Sequence, residues 1–362
     1  MDILPHAPPF QNNAFSDAFF RCQPPLTRLA NEDMTDSQRR SVHLSARPYK
    51  IFSGSSNPAL AEQISSILGT RLGDRKLMNF SDGEIHCEIK ENVRGLDTYV
   101  LQSTCNPANT HLMELLVMGD ALRRASVRTA CAVIPYYGYA RQDRKTAPRT
   151  PITARLVADL ISAAGFNRVI TVDLHAGQIQ GFFHFPVDHL FGTPVLFPYL
   201  RQKYSDQPVV IVSPDAGGTE RARIMAKFMN CSLAIVDKRR TGPNIATAMN
   251  LIGEVKGQVA IIIDDIADTA GTLTEAARLL RREGAAKVVA CASHAVFSGP
   301  ALERLQEANF DEIVVTDSIP LREGFKNLNN LKVLSVGPMV AETIRRIQCN
   351  DSVSAILEEE IR

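Results

Sequence analysis

Ile261-Ile262-Ile263-Asp264-Asp265-Ile266-Ala267-Asp268-Thr269-Ala270-Gly271-Thr272 is the stretch whose reading decides the fold of this chain. It continues an apolar run that begins at Val259, short and rich in β-branched residues, as a strand covered by helices on both faces should be. Two carboxylates end the run. A brief loop then enters a helical pattern with an apolar face through Leu279 and Leu280 and with Gly284 after its end. Thr272 and Glu275 stand at the spacing of a capping box. The backbone N–H groups and the dipole at such a helix start favour an anion, so a phosphate cradle is expected beside two acids. Adjacent acids accept hydrogen bonds from a vicinal diol, and the combination suits a sugar with hydroxyls at one end and a phosphate at the other. The bland alternative, an acidic strand end before an ordinary capped helix, does not account for the ordered combination.

The same alternation extends outward in both directions from Tyr49 onward, which predicts a parallel α/β sheet. Strands are expected at 98–101, 130–134, 169–172, 209–212, 233–236, 260–263, 288–292 and 313–315. A first helix is expected after Asn57 as N-cap and Pro58 at N1, with Leu60, Ile64, Ile67 and Leu68 on its apolar face and Gly69 as its stop. Another is expected to start at Thr150 and Pro151 and to end at Gly165. The unusual chemistry falls just downstream of the strands: Tyr136 to Lys145, Asp173 to His175, Ser213 to Gly218, Lys238 to Arg240, and Asp264 with Asp265. In open α/β sheets ligands bind beyond the carboxyl ends of strands, so these loops can converge.

Composition narrows the function classes. The 362 residues exceed a usual single core and point to two. Forty basic and 39 acidic residues leave a formal charge of +1, which gives no bulk electrostatic case for a nucleic-acid or membrane partner. Seven scattered cysteines without a CxxC pair fit a reducing compartment better than a disulfide framework or a thiolate zinc site. No apolar run approaches the roughly 18 residues of a membrane helix. Residues 1–48 lack sustained periodicity and carry acids that a transit peptide usually avoids, so they are expected to form a flexible extension.

The Asp264 to Thr272 segment resembles the phosphoribosyl pyrophosphate signature, and Phe80 to Glu84, Tyr136 to Lys145, Asp173 to Phe183, Ser213 to Gly218 and Lys238 to Arg240 resemble, in order, class I ribose-phosphate pyrophosphokinase. The resemblance runs from about Tyr49 to the Ser352-Val353-Ser354 ending. It implies two similar α/β domains of the phosphoribosyltransferase type, at 49–194 and 195–339, with residues 340–362 as a C-terminal helix returning to the first. It further implies transfer of pyrophosphate from ATP to the C1 hydroxyl of ribose 5-phosphate, with magnesium as cofactor and inorganic phosphate as activator.

The residue roles implied are these. Asp264, Asp265, Asp268, Thr269, Ala270, Gly271 and Thr272 would hold ribose 5-phosphate; Phe80, Asp82, Glu84, Arg141, Gln142 and Asp143 would hold ATP, the first three in a neighbouring subunit. His175 and Asp215 would hold the metal, and Lys238 and Arg240 would stabilise charge in transfer. A regulatory anion site would draw on Arg94, Gln180, Asp188, His189, Ser352 and Ser354, although Gly177 and Asn92 depart from the family's usual residues there. Self-association into a homohexamer built from dimers, a cytoplasmic location, and no nucleic-acid or membrane partner complete the expectation. A phosphoribosyltransferase would explain the Asp264 to Thr272 segment but not the loops at Phe80 and Arg141, and a non-catalytic subunit of the same fold would be expected to carry damaged catalytic loops.

Overall fold

The computed structural model describes residues 47–239 and 248–356; the expected extension through residue 46 and Arg240 lie outside the described residues, and of Lys238 only the backbone is described. Two sheets carry the architecture. The first has five parallel strands in the order β1-β4-β5-β6-β7: β1 (Tyr49–Ser53), β4 (Asp97–Leu101), β5 (Thr129–Ile134), β6 (Arg168–Val172) and β7 (Val187–Leu190). Between β1 and β4 the chain makes a separate antiparallel hairpin, β2 (Arg75–Asn79) with β3 (Ile85–Ile89). The second sheet has seven strands in the order β10-β9-β8-β11-β12-β13-β14, all parallel except β10 (Ala248–Ile252), which runs antiparallel to β9 (Ser232–Arg239) at the edge. Its other strands are β8 (Val209–Ser213), β11 (Val259–Ala267), β12 (Lys287–Ala295), β13 (Glu312–Thr316) and β14 (Leu331–Leu334).

Each sheet is buried on both faces, which is why its central strands read as unbroken apolar runs. On the first sheet, α2 (Ala108–Arg124) and α3 (Thr153–Ala163) cover one face through residues such as Leu115, Met118 and Val157. The opposite face is covered by α1 (Pro58–Ile67) and, from the far end of the chain, by α8 (Gly337–Cys349), whose Val340, Ala341 and Ile344 join Ile51, Leu60 and Ile64 in one core. Burying a side chain the size of Ile344 contributes about 1.5–3 kcal/mol. The second sheet is packed between α6 (Gly271–Arg282) with α7 (Ala301–Glu307) on one face and α4 (Thr193–Tyr204) with α5 (Thr219–Met229) on the other.

Helix punctuation follows local chemistry at some ends and not at others. Asn57 caps α1 by accepting from the Leu60 N–H at 3.3 Å, and the chain leaves that helix through Gly69 at a φ of 62°. The expected start of α3 at Thr150 is corrected to Thr153, after Ile152, which offers no side-chain cap. The expected capping box at Thr272 is likewise corrected: α6 begins at Gly271 behind Ala270, and no side chain caps it.

The sheets meet near the carboxyl ends of their strands. His294, buried on β12, places Nε2 3.1 Å from the carbonyl oxygens of both Val172 and Asp173, and Nδ1 2.8 Å from the Ser318 hydroxyl. Ser103 donates to the Ser318 carbonyl at 2.6 Å, and Asn57 Nδ2 to the Asp317 carbonyl at 2.8 Å. Tyr136 packs edge-on to His294 with centroids 5.0 Å apart.

Candidate functional site

Asp264 and Asp265 lie within β11, which continues through Ala267, so the strand carries its acids into the seam instead of ending before them. Asp265 is buried and accepts two side-chain contacts: His175 Nδ1 at 2.8 Å on Oδ2, and Arg221 from α5 at 3.2 Å on Oδ1. Burial alone would raise its pKa, but His175 and Arg221 outweigh that and hold it well below the ordinary carboxylate range. The reciprocal effect is seen at His175, where the hydrogen bond to Asp265 raises the imidazole pKa against the opposing effect of burial; Asp143 adds to it from the neighbouring loop. Asp264 accepts the Asp265 N–H at 2.9 Å, and burial together with the Asp265 charge pushes its pKa well up. The two neighbouring acids therefore have opposite electrostatic settings.

The loop that follows turns sharply. Ala270 adopts the left-handed conformation at φ 57°, a cost of about 1–3 kcal/mol for a non-glycine residue that surrounding structure must sustain. Arg304 of α7 donates to the Thr269 carbonyl at 3.0 Å, and the Ser298 N–H to the Asp268 carbonyl at 3.1 Å. The Asp268 carboxylate accepts the Ser298 hydroxyl on one oxygen and Arg141 at 2.5 Å on the other. Burial raises its pKa, and these contacts more than offset that. Asp268, Thr269, Ala270, Gly271 and Thr272 thus form a supported turn at an uncapped helix N-terminus, an arrangement suited to an anion.

Arg141 arrives from the loop after β5. There Gly138 passes so close to Thr104 that a Cβ would stand 2.3 Å from the Thr104 carbonyl oxygen, so the close crossing requires glycine. Gln142 is tied down by Thr153 Oγ1 at 2.5 Å. The loop is exposed at Arg141 and Gln142 and partly covered at Asp143. Asp215, exposed after β8, accepts the Gly218 N–H at 2.9 Å on Oδ1. Among the described residues no group of three or more His, Cys, Asp or Glu side chains gathers as a metal cage. The donor set nevertheless fits a magnesium ion that keeps most of its shell as water and phosphate oxygen, since His175 turns only Nδ1 to Asp265 and Asp215 commits only one oxygen to backbone.

Phe80, Asp82 and Glu84 occupy the tip of the β2–β3 hairpin, closed by Phe80 N–H to Glu84 O at 2.8 Å and by Gly83 at φ 93°. Half of the Phe80 surface is open, and its ring lies 5.5 Å, centroid to centroid, from that of His86. Among the described residues no hydrogen bond or ion pair joins this tip to Arg141, Gln142 or Asp143. Four of the six residues of the expected regulatory site, Gln180, Asp188, His189 and Ser354, line one cavity of about 540 Å³ between β7 and the segment after α8, together with Arg168, which holds Asp188 at 2.6 Å. Ser352 touches Ser354 at 3.1 Å between hydroxyls, whereas Arg94 is exposed and does not line the cavity. Arg221, Ser298 and Arg304 were missed by sequence reasoning because each acts from a helix or loop outside the motif it supports.

Fold and site together define a two-domain α/β protein of the phosphoribosyltransferase type. Residues 49–165 match the model for the N-terminal domain of ribose phosphate pyrophosphokinase, and residues 240–358 the phosphoribosyl synthetase-associated domain. The ribose-phosphate pyrophosphokinase of Caldanaerobacter subterraneus subsp. tengcongensis is 56% identical over 307 residues, covering 85% of this chain and 97% of the relative. Ribose-phosphate pyrophosphokinase 1 of Spinacia oleracea is 52% identical over 321 residues, 88% of this chain and 95% of its own. The crystal structure of phosphoribosylpyrophosphate synthetase from Mycobacterium smegmatis aligns with a TM-score of 0.80 and 42% identity, over 84% of this chain and all of that one. The chain belongs to the ribose-phosphate pyrophosphokinase family, and it is an enzyme that makes phosphoribosyl pyrophosphate.

Proposed function

We propose that the chain transfers the pyrophosphoryl group of ATP to the C1 hydroxyl of ribose 5-phosphate, releasing AMP, and so supplies nucleotide, histidine and tryptophan synthesis. The observation that carries this reading is the 2.5 Å contact between Arg141 and Asp268, which puts the loop assigned to nucleotide beside the loop assigned to sugar phosphate. The 5-phosphate is read onto the 268–272 turn, with the ribose hydroxyls toward Asp264 and Asp265. The C1 oxygen then forms a bond to the β-phosphorus of ATP as the bond from that phosphorus to the α,β-bridging oxygen breaks. The electron pair leaves on AMP, and the C1 proton passes to solvent.

Positioning and charge stabilisation supply most of the catalysis in such transfers, which requires cations near the polyphosphate and a turn that fixes the sugar. Lys238 and Arg240 are assigned the cationic role. His175 and Asp215 would hold magnesium, which when bound neutralises phosphate charge. Gln142 and Asp143 join Arg141 on the nucleotide loop, while Phe80, Asp82 and Glu84 would complete the nucleotide site of another copy of the chain in a homohexamer built from dimers. The cavity beside His189 and Ser354 is read as the place where inorganic phosphate activates. Among the described residues no helix is long and apolar enough to cross a membrane, in keeping with the cytoplasmic location we assign. The test is a coupled assay with ribose 5-phosphate, ATP, magnesium and phosphate: AMP is expected to appear in step with phosphoribosyl pyrophosphate, and AMP formation independent of ribose 5-phosphate would refute the reading.

A further inference from the structure

Several carboxylates border the seam where an anionic polyphosphate is to be received, and they are held in different ways. Asp173 accepts the Gly192 N–H at 3.0 Å and the Ser293 hydroxyl; Asp215 accepts the Gly218 N–H at 2.9 Å; Asp264 accepts the Asp265 N–H at 2.9 Å. Asp265 differs. Its two oxygens are divided between side chains from two other elements, His175 after β6 and Arg221 in the first turn of α5. The Arg221 side chain is 21% exposed, and its guanidinium lies in the field of Asp265, Asp173, Asp264 and Asp215.

We propose that Arg221 is a positioning residue: by holding Oδ1 of Asp265 it fixes the carboxylate that orients His175, so that His175 presents Nε2 to the pocket. The inference rests on the reading of His175 as a donor toward the nucleotide's metal. An ionised carboxylate only accepts hydrogen bonds, so the proton in the 2.8 Å contact sits on Nδ1 and the lone pair of the neutral ring on Nε2. Nε2 faces away from Asp265, across the ring. A carboxylate behind a metal-binding imidazole serves in this way generally, by setting tautomer and ring orientation. With Oδ1 released, the Asp265 carboxylate can rotate and follow the imidazole, and the ring loses its fixed direction. Lysine at position 221 would keep a charge but present a point donor instead of a planar fork.

The experiment uses the full chain with Arg221→Gln and Arg221→Lys. In metal-free protein labelled with nitrogen-15 at histidine, long-range proton–nitrogen correlations at alkaline pH report the tautomer of each neutral ring, with His175 assigned by its loss in His175→Gln. The original chain and Arg221→Lys are expected to show His175 in a single form with Nε2 unprotonated, and Arg221→Gln a mixture of both forms. In turnover assays Arg221→Gln should lower kcat/KM for the magnesium nucleotide about 10- to 100-fold, while calorimetric affinity for ribose 5-phosphate changes by less than about threefold. A single unprotonated-Nε2 form retained in Arg221→Gln overturns the proposal even where activity falls, because that loss would then be structural. Should Arg221→Gln not fold, Arg221→Met takes its place, and a single unprotonated-Nε2 form retained in folded Arg221→Met overturns the proposal equally. Failure of the functional reading would register separately, as absence of AMP in the assay of the original chain with the tautomer result unaffected.

Discussion

At Asp268 a single carboxylate answers to two domains, accepting Ser298 from beneath and Arg141 from across the seam. Asp268→Asn keeps the shape of the side chain and removes its charge, so ribose 5-phosphate binding is expected to weaken more than ATP binding. Calorimetry with each ligand separately checks the ranking, and the reverse order would remove Asp268 from the cradle. Lys238→Ala should lower turnover by about 10³-fold or more, the range of cationic charge stabilisation in phosphoryl transfer, while ribose 5-phosphate affinity survives. His175 carries a pH signature. Its folded pKa is raised by Asp265, so its contribution to stability is complete below the unfolded value of about 6.5 and is lost as pH rises through the folded value. The gap in unfolding free energy between the original chain and His175→Gln should therefore be widest in mildly acidic buffer and narrow in alkaline buffer. Urea titrations across that interval measure it, and a gap that widens with pH would contradict the His175–Asp265 pairing.

At the scale of elements, α1 shows what local chemistry can and cannot announce. The Asn57 cap, Pro58 and Gly69 were all legible, because a cap and a left-handed stop act within a turn of their own position. The second task of Asn57, holding the Asp317 carbonyl across 260 positions of sequence, was not. Asn57→Ala should accordingly cost about 0.5–2 kcal/mol for the cap plus about 0.5–1.5 kcal/mol for the further hydrogen bond, read from chemical denaturation; a change indistinguishable from zero would deny both roles. The eight central strands were legible because burial on two faces leaves mostly apolar residues along them. Edge strands were harder: β7 carries Asp188 and His189, β14 carries Lys332, and one open side relaxes the pattern. The start of α6 was misplaced because Thr272 and Glu275 mimic a capping box, while the chain turns two residues earlier through left-handed Ala270.

Across the whole molecule, the site is a seam between two sheets, and the motifs at strand ends foretold that the Arg141 and His175 loops meet β11 and the turn after it, but not what supports them. Arg221 and Arg304 stand on helices whose sequences read as ordinary amphipathic surfaces, and only the packing of α5 and α7 reveals their partners. His294 shows the strength of the seam. In His294→Leu the Ser318 hydroxyl and two carbonyls lose a buried partner, at about 1–3 kcal/mol for each group left unsatisfied. Denaturation followed by separate probes in the two sheets should then split into two transitions; coincident transitions would show that His294 does not couple them. Deleting residues 2–44 is expected to leave specific activity unchanged, and a fall of more than about tenfold in kcat, about 1.4 kcal/mol on the barrier, would assign that segment a part in catalysis.

The return of α8 onto the face shared with α1 has a bearing on how the polypeptide is made. Strands β1 to β7 leave the ribosome long before Val340 and Ile344, so during translation the half that emerges first waits with an apolar surface uncovered until Gly337–Cys349 has been made. A nascent chain stalled before residue 337 should consequently recruit chaperones that the released polypeptide does not.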